Sequence, residues 1–179
     1  MLDLFKWNLE IIRSQPFMAW LEDRREEWSP LLASRLKFLL EGRAFIIICD
    51  DEREWFGEYL ISKINQSTNA RPLLPFFTLK SLYKNYTNIT TAEEMNLVDD
   101  MLNLSFENGV VYFYIGKGEA KISQIAKNHE DSYMWLIDER AQNSFYLDGK
   151  DEMLDNKLLE LFWIFNKSID AVLFNEVVL

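Results

Sequence analysis

Three consecutive acids, Asp50-Asp51-Glu52, follow the apolar run Ala44–Cys49. Carboxylates at the carboxyl end of a strand have three uses. They cap the following helix and complement its dipole, supply ligands to Mg²⁺, or meet a basic partner. They do not suit a phosphate, which needs glycines there so that backbone N–H groups can approach it. A Mg²⁺ site would recruit a further carboxylate, and Asp138 is the candidate to complete one. Helix capping is the expected role, with neither metal nor phosphate bound. Gly116-Lys117-Gly118 sits at a second strand end and could cradle an anion. It lacks the rest of a Walker or dinucleotide fingerprint and reads as turn geometry.

Nucleophilic chemistry has little to work with. Cys49 is the sole cysteine and His129 the sole histidine. Pairing them would require a buried strand thiol and a loop imidazole to converge, and a buried thiol is normally an inert small apolar group. No G-x-S-x-G elbow occurs, and no Cys/His cluster has zinc-ligand spacing. The expectation is a protein that is not an enzyme and carries no cofactor.

The elements that must position these residues alternate between helix and strand. Leu4, Phe5, Leu9 and Ile12 recur at helical spacing up to Pro16, and Phe17, Trp20 and Leu21 resume it. Ser29-Pro30 reads as an N-cap with proline at the first helical position. Leu31, Leu32, Leu36, Leu39 and Leu40 continue that helix to Gly42. Ala44–Cys49 is apolar on both faces, as a central strand of a parallel sheet is. Glu52–Ile64 is predicted helical, with Trp55, Phe56, Tyr59, Leu60 and Ile64 inward. Leu73–Thr78 is a strand that Pro75 confines to a sheet edge. Lys80–Thr91 reads as loop, Thr91–Leu104 as helix and Val110–Ile115 as strand. Glu119–Lys127 is predicted helical, Tyr133–Ile137 and Ser144–Leu147 as strands, and Asp151–Phe174 as one long helix. The order predicts a three-layer α/β/α, Rossmann-like fold with a mainly parallel sheet, as a single domain over 1–179.

Composition agrees. The 179 residues are 49% hydrophobic and 15% aromatic, enough for a packed core. A net charge of −10 opposes sequence-independent binding to nucleic acid, which needs cations to displace phosphate counterions, yet permits a basic protein partner. The opening residues lack a signal-peptide pattern and no apolar run approaches a membrane span, so a cytoplasmic protein is expected.

Ile46-Ile47-Ile48-Cys49-Asp50-Asp51-Glu52 resembles the first strand of a phosphoacceptor receiver domain. The run Val110–Ile115 ends in Gly116 rather than aspartate, and the required lysine after the last strand is missing, so that reading fails. A broader resemblance covers the whole chain. Glu41-Gly42-Arg43 with the following strand and helix, Arg71-Pro72-Leu73-Leu74-Pro75, and Val110–Ile115 with Gly116-Lys117-Gly118 resemble the sugar isomerase (SIS) fold in order and spacing. Arg71-Pro72-Leu73-Leu74, Met134-Trp135-Leu136, and the ending from Leu159 to Leu179 resemble the HobA family of DnaA-associating factors, a degenerate SIS-like branch related in role to DiaA. That resemblance implies a homotetrameric scaffold that binds the N-terminal domain of the replication initiator DnaA and helps it assemble at the origin. Acids stand where SIS proteins carry glycine and serine, which agrees with a scaffold role and argues against the rival reading, sugar-phosphate binding as an isomerase or sensor. A Leu-Phe pair near the C-terminus contacts DnaA in such proteins, and Leu173-Phe174 matches it. Glu52 and Glu54 are added as acids that could steer a basic partner.

Overall fold

In the computed structural model, which describes residues 2–66, 68 and 70–179, the chain runs in order through β1 (Leu2–Asp3), α1 (Leu4–Ser14), α2 (Ala19–Glu22), α3 (Arg25–Leu40), β2 (Ala44–Cys49), α4 (Glu54–Ile64), β3 (Phe76–Thr78), α5 (Leu79–Leu82), α6 (Ala92–Ser105), β4 (Val110–Lys117), α7 (Ser123–Lys127), β5 (Tyr133–Ile137), β6 (Ser144–Leu147), α8 (Leu154–Leu173) and β7 (Val177–Val178). Two compact units result: Glu41–Gly149, and the residues up to Leu40 together with Lys150–Leu179.

The Glu41–Gly149 unit is a five-stranded sheet in the order β3-β2-β4-β5-β6, parallel throughout. β2 and β4 pair from Ala44↔Val110 to Cys49↔Ile115. Alternation along a strand sends Ile46, Ile48, Tyr112, Tyr114, Met134 and Leu136 to one face. There they pack with Leu79 of α5, Met95, Val98 and Leu102 of α6, and Ile125 of α7. On the opposite face α4 brings the Phe56 ring to 6.1 Å from Trp135. Helices therefore cover both faces, as the alternating sequence predicts. Pro75 has the expected effect, since it lacks a ladder donor and β3 is a three-residue edge strand.

Several boundaries differ from the sequence reading. Lys80–Thr91 is not all loop, because Thr78 caps the short α5 by accepting from the Ser81 N–H. α4 begins at Glu54 after a 3₁₀ turn over Asp51–Arg53. Its buried stripe is Phe56, Gly57, Leu60 and Ile64; Trp55 and Tyr59 are 44% and 37% exposed. The helix expected over Glu119–Lys127 contracts to Ser123–Lys127. Strand β4 instead continues through Lys117, and the next residues close i→i+3 turns such as Ala120 N–H to Lys117 C=O. The α6 start is as read: Thr91 and Glu94 form a reciprocal capping box.

The other unit packs α1, α2, α3 and α8 around buried Leu4, Ile12, Leu21, Trp28, Leu32, Leu36, Leu158, Leu161, Phe162, Phe165 and Ile169. Phe5, expected inward, is exposed, and Asn8 takes the inward place one turn after Leu4. The Ser29-Pro30 cap is also overturned, because α3 starts at Arg25 and contains Pro30. Burial of the Trp28 indole decides this. Removing roughly 150–250 Å² of mostly apolar surface from water stabilises by about 4–6 kcal/mol as an upper bound. That exceeds the cost of about 3 kcal/mol for an interior proline. Gly42, with φ +80°, stops the helix as expected. The parallel pair β1–β7, Leu2↔Val177 and Asp3↔Val178, has no counterpart in the sequence reading.

Candidate functional site

Parallel sheets of this winding offer a crevice where the strand order reverses, outside the carboxyl ends of adjacent strands. Here β3 lies on one side of β2 and β4 on the other, so the crevice falls between Cys49-Asp50 and Gly116-Lys117. The side chain of Asp50 occupies it. One carboxylate oxygen accepts from the Arg53 N–H at 2.9 Å. The other accepts from the Lys117 N–H at 2.6 Å and the Arg53 guanidinium at 3.1 Å. Glu52 closes the ring by accepting from Arg53 at 2.8 Å and from the Lys117 ammonium at 2.7 Å. Asp50 and Arg53 are each only 7% exposed. The hydrogen bond from Lys117, followed by the charge of Arg53, holds the Glu52 carboxyl below its ordinary range. Asp50 thus caps the turn as expected, and it also ties that turn to β4. The spacing of Asp50 and Arg53 makes their pairing legible in sequence; Lys117, far along the chain, carries no such signal.

The remaining candidates are occupied with structural work. Burial pushes the Cys49 thiol up to about 12, with the Asp50 charge adding to the effect, so no thiolate forms at neutral pH. His129 belongs to a different cluster. Its Nδ1 lies 2.8 Å from the Ile125 carbonyl and its Nε2 3.0 Å from Asp99, to which Tyr112 also donates. This Asp99–Tyr112–His129 group escaped the sequence reading because three separate elements contribute to it. Asp138 does not join a metal site: its carboxylate accepts from the Gly149 N–H at 2.7 Å. Among the described residues no group of three or more His, Cys, Asp or Glu side chains is placed to hold a metal ion. Lys127 fastens the Gly118 turn by donating to its carbonyl at 2.6 Å and pairing with Glu139 at 2.7 Å.

The four partner-surface candidates divide between the two units. Leu173 ends α8 half-buried, while Phe174 is the C-cap and 49% exposed. Asn175 then turns the chain through φ +56° into β7. Leu2, Phe5, Val178 and Leu179, all exposed apolar residues, lie on or beside the β1–β7 pair. In the sheet unit Glu52 is engaged as above, and Glu54 pairs with Lys80 and accepts from the Tyr86 hydroxyl at 3.3 Å. Both acids remain accessible, with side chains 59% and 42% exposed.

The fold and this crevice define a doubly wound α/β protein in which an ion-paired carboxylate of the chain itself, Asp50, lies at the switch point. The chain belongs to the HobA family of DNA replication regulators, which it matches over residues 1–179. It is 30% identical over 189 aligned positions, covering all of both chains, to the DNA replication regulator protein HobA of Helicobacter pylori. The crystal structure of that HobA superposes with a TM-score of 0.78 at 28% identity, over 100% of this chain and 99% of the other. A crystal structure of a HobA–DnaA (domain I–II) complex from the same organism gives 0.76 at 28%, with both chains fully covered. No helix among the described residues is long and apolar enough to cross a membrane.

Proposed function

We propose that this chain is a non-enzymatic cytoplasmic scaffold that binds the N-terminal domain of DnaA and, as a homotetramer, presents several copies of it to one another. The observation that carries the reading is the full-length likeness to a HobA chain crystallised with domains I–II of DnaA. Effective concentration is the mechanism. Once one DnaA is held, contacts between neighbouring copies become intramolecular, and assembly gains without any base contact. A protein acting so needs no basic patch, in keeping with a net charge of −10. Phe174 is proposed as an anchor, since an exposed ring brings large apolar area at little rotamer cost, together with its half-buried neighbour Leu173. Glu52 and Glu54 are proposed to steer the approach of a basic face.

Titration calorimetry with a DnaA fragment of domains I–II tests the reading, and saturable binding is expected. No binding, by a chain of native melting temperature, sinks it. The rival sugar-phosphate reading requires an open crevice, and Asp50 fills that crevice. A thermal-shift screen of sugar phosphates is expected to leave the wild-type melting temperature unchanged.

A further inference from the structure

Helix α6 buries Met95, Val98 and Leu102 against the sheet and turns Leu97 and Leu104 to solvent, 63% and 89% exposed. Seven residues make about two helical turns, so these leucines stand one above the other on the face opposite the core. Met101, half-buried, lies between them and joins the stripe to the packed interior. A row of acids runs beside this apolar ridge. Glu93 and Asp100 are again seven residues apart, Glu107 continues the spacing just past the helix end, and all three are exposed. None of the three enters an ion pair among the described residues. The other acids of the stretch are engaged: Glu94 closes the capping box, and Asp99 meets Tyr112 and His129 on the side toward the sheet. No lysine or arginine occurs between Lys84 and Lys117.

We propose that the outer face of α6 docks a basic amphipathic helix of a partner protein. The partner's apolar side chains seat on Leu97, Met101 and Leu104, and its lysines or arginines face Glu93, Asp100 and Glu107. Apolar residues at i, i+4 and i+7 are the pattern by which one helix seats on another. Charges that recur every seventh residue beside such a seam select the partner. Charge complementarity decides the occupant. A second copy of this chain packed antiparallel on α6 would set the acid row against itself, and like charges so opposed cost affinity. Nucleic acid and anionic lipid are repelled for the same reason. The inference stands apart from the DnaA reading, which draws on Leu173, Phe174, Glu52 and Glu54.

Fluorescence anisotropy tests this with the full chain and a labelled synthetic helix of about four turns, carrying leucines at i, i+4 and i+7 and lysines beside them. Saturable binding by wild type is expected. Leu97→Glu/Leu104→Glu is expected to weaken it about tenfold or more, although the variant makes the face more acidic. Both leucines stand in solvent, so the variant is expected to keep the wild-type melting temperature and oligomer size. Glu93→Gln/Asp100→Asn, with the leucines in place, is expected to weaken binding several-fold and to flatten its salt dependence. No binding by wild type overturns the proposal. So does undiminished binding by Leu97→Glu/Leu104→Glu, which would mean that net charge alone holds a lysine-rich peptide. A smaller oligomer in either variant overturns it too, because a second copy would then be the occupant. If the leucine variant melts early, Glu93→Gln/Asp100→Asn decides, and binding equal to wild type overturns the proposal.

Discussion

Glu52 accepts from two cations at once, and the folded state therefore favours its ionised form. Because its folded pKa lies below the unfolded value of about 4.3, its contribution is fully present above that value and fades as pH falls through the folded pKa. Glu52→Gln is therefore expected to lower the melting temperature slightly at pH 7, with the difference fading as the solution is acidified below about 4.3 and shrinking in high salt. A difference that does not shrink on acidification would mean that packing, not charge, is the cause. At the proposed partner surface, Phe174→Ala is expected to weaken DnaA domain I–II binding about tenfold or more while leaving oligomer size and melting temperature unchanged. Undiminished binding by that intact variant removes Phe174 from the site. The acids and the glycine pair could be picked out of the sequence by type and neighbours, and the terminal Leu-Phe only through the family resemblance. Their distant partners could not: Lys117 for Glu52 and Lys80 for Glu54 come from elements that meet only through the sheet.

Among the elements, α6 shows a start that sequence specifies fully. Thr91 accepts from the Glu94 N–H at 3.2 Å, and Glu94 accepts from the Thr91 N–H at 3.0 Å. Thr91→Ala is expected to cost about 1 kcal/mol, a fall of roughly 2–4 °C in a chain of this size. A fall outside that direction in a thermal melt would show that the cap is redundant. α3 is the opposite case. Its local signal, Ser29-Pro30, favours a helix start, and the burial of Trp28 overrides it. Pro30 is exposed, so Pro30→Ala loses no packing and restores an N–H able to bond the Glu26 carbonyl. The gain of about 3 kcal/mol in the helix is offset by about 1 kcal/mol of extra freedom in the unfolded chain. A net stabilisation of about 2 kcal/mol is expected by chemical denaturation. Strands β2, β4 and β5 were legible because they are apolar on both faces, and α8 because its stripe repeats over five turns. α4 was over-read for a related reason: Trp55 and Tyr59 flank the buried stripe, and aromatic character alone does not say which side of its edge they take.

Viewed whole, the molecule carries apolar groups its own interior does not use. Phe162 and Phe165 are buried in the helical unit, but Phe5, Phe17 and Phe174 are about half exposed. Light scattering over a dilution series is expected to show an oligomer persisting at micromolar concentration; a monomer there removes the scaffold mechanism, which needs several sites per particle. The pairing of Leu2 with Val177 has a further consequence, for the time order in which the protein comes into being. Ribosomes deliver α1, α2 and α3 first, then the entire sheet unit, and only at the end α8 and β7. At 5–20 residues per second, the early helices wait on the order of ten seconds for the helix that covers them. During that interval Leu4, Ile12, Trp28 and Leu36 have no finished core, whereas the sheet unit, contiguous in sequence, is free to fold as it emerges. Nascent chains stalled before Leu154 should thus expose these side chains to chaperones. A circular permutant that joins the ends near β1 and β7 and opens at Gly149–Lys150 would synthesise the helical unit without interruption and shorten the exposure.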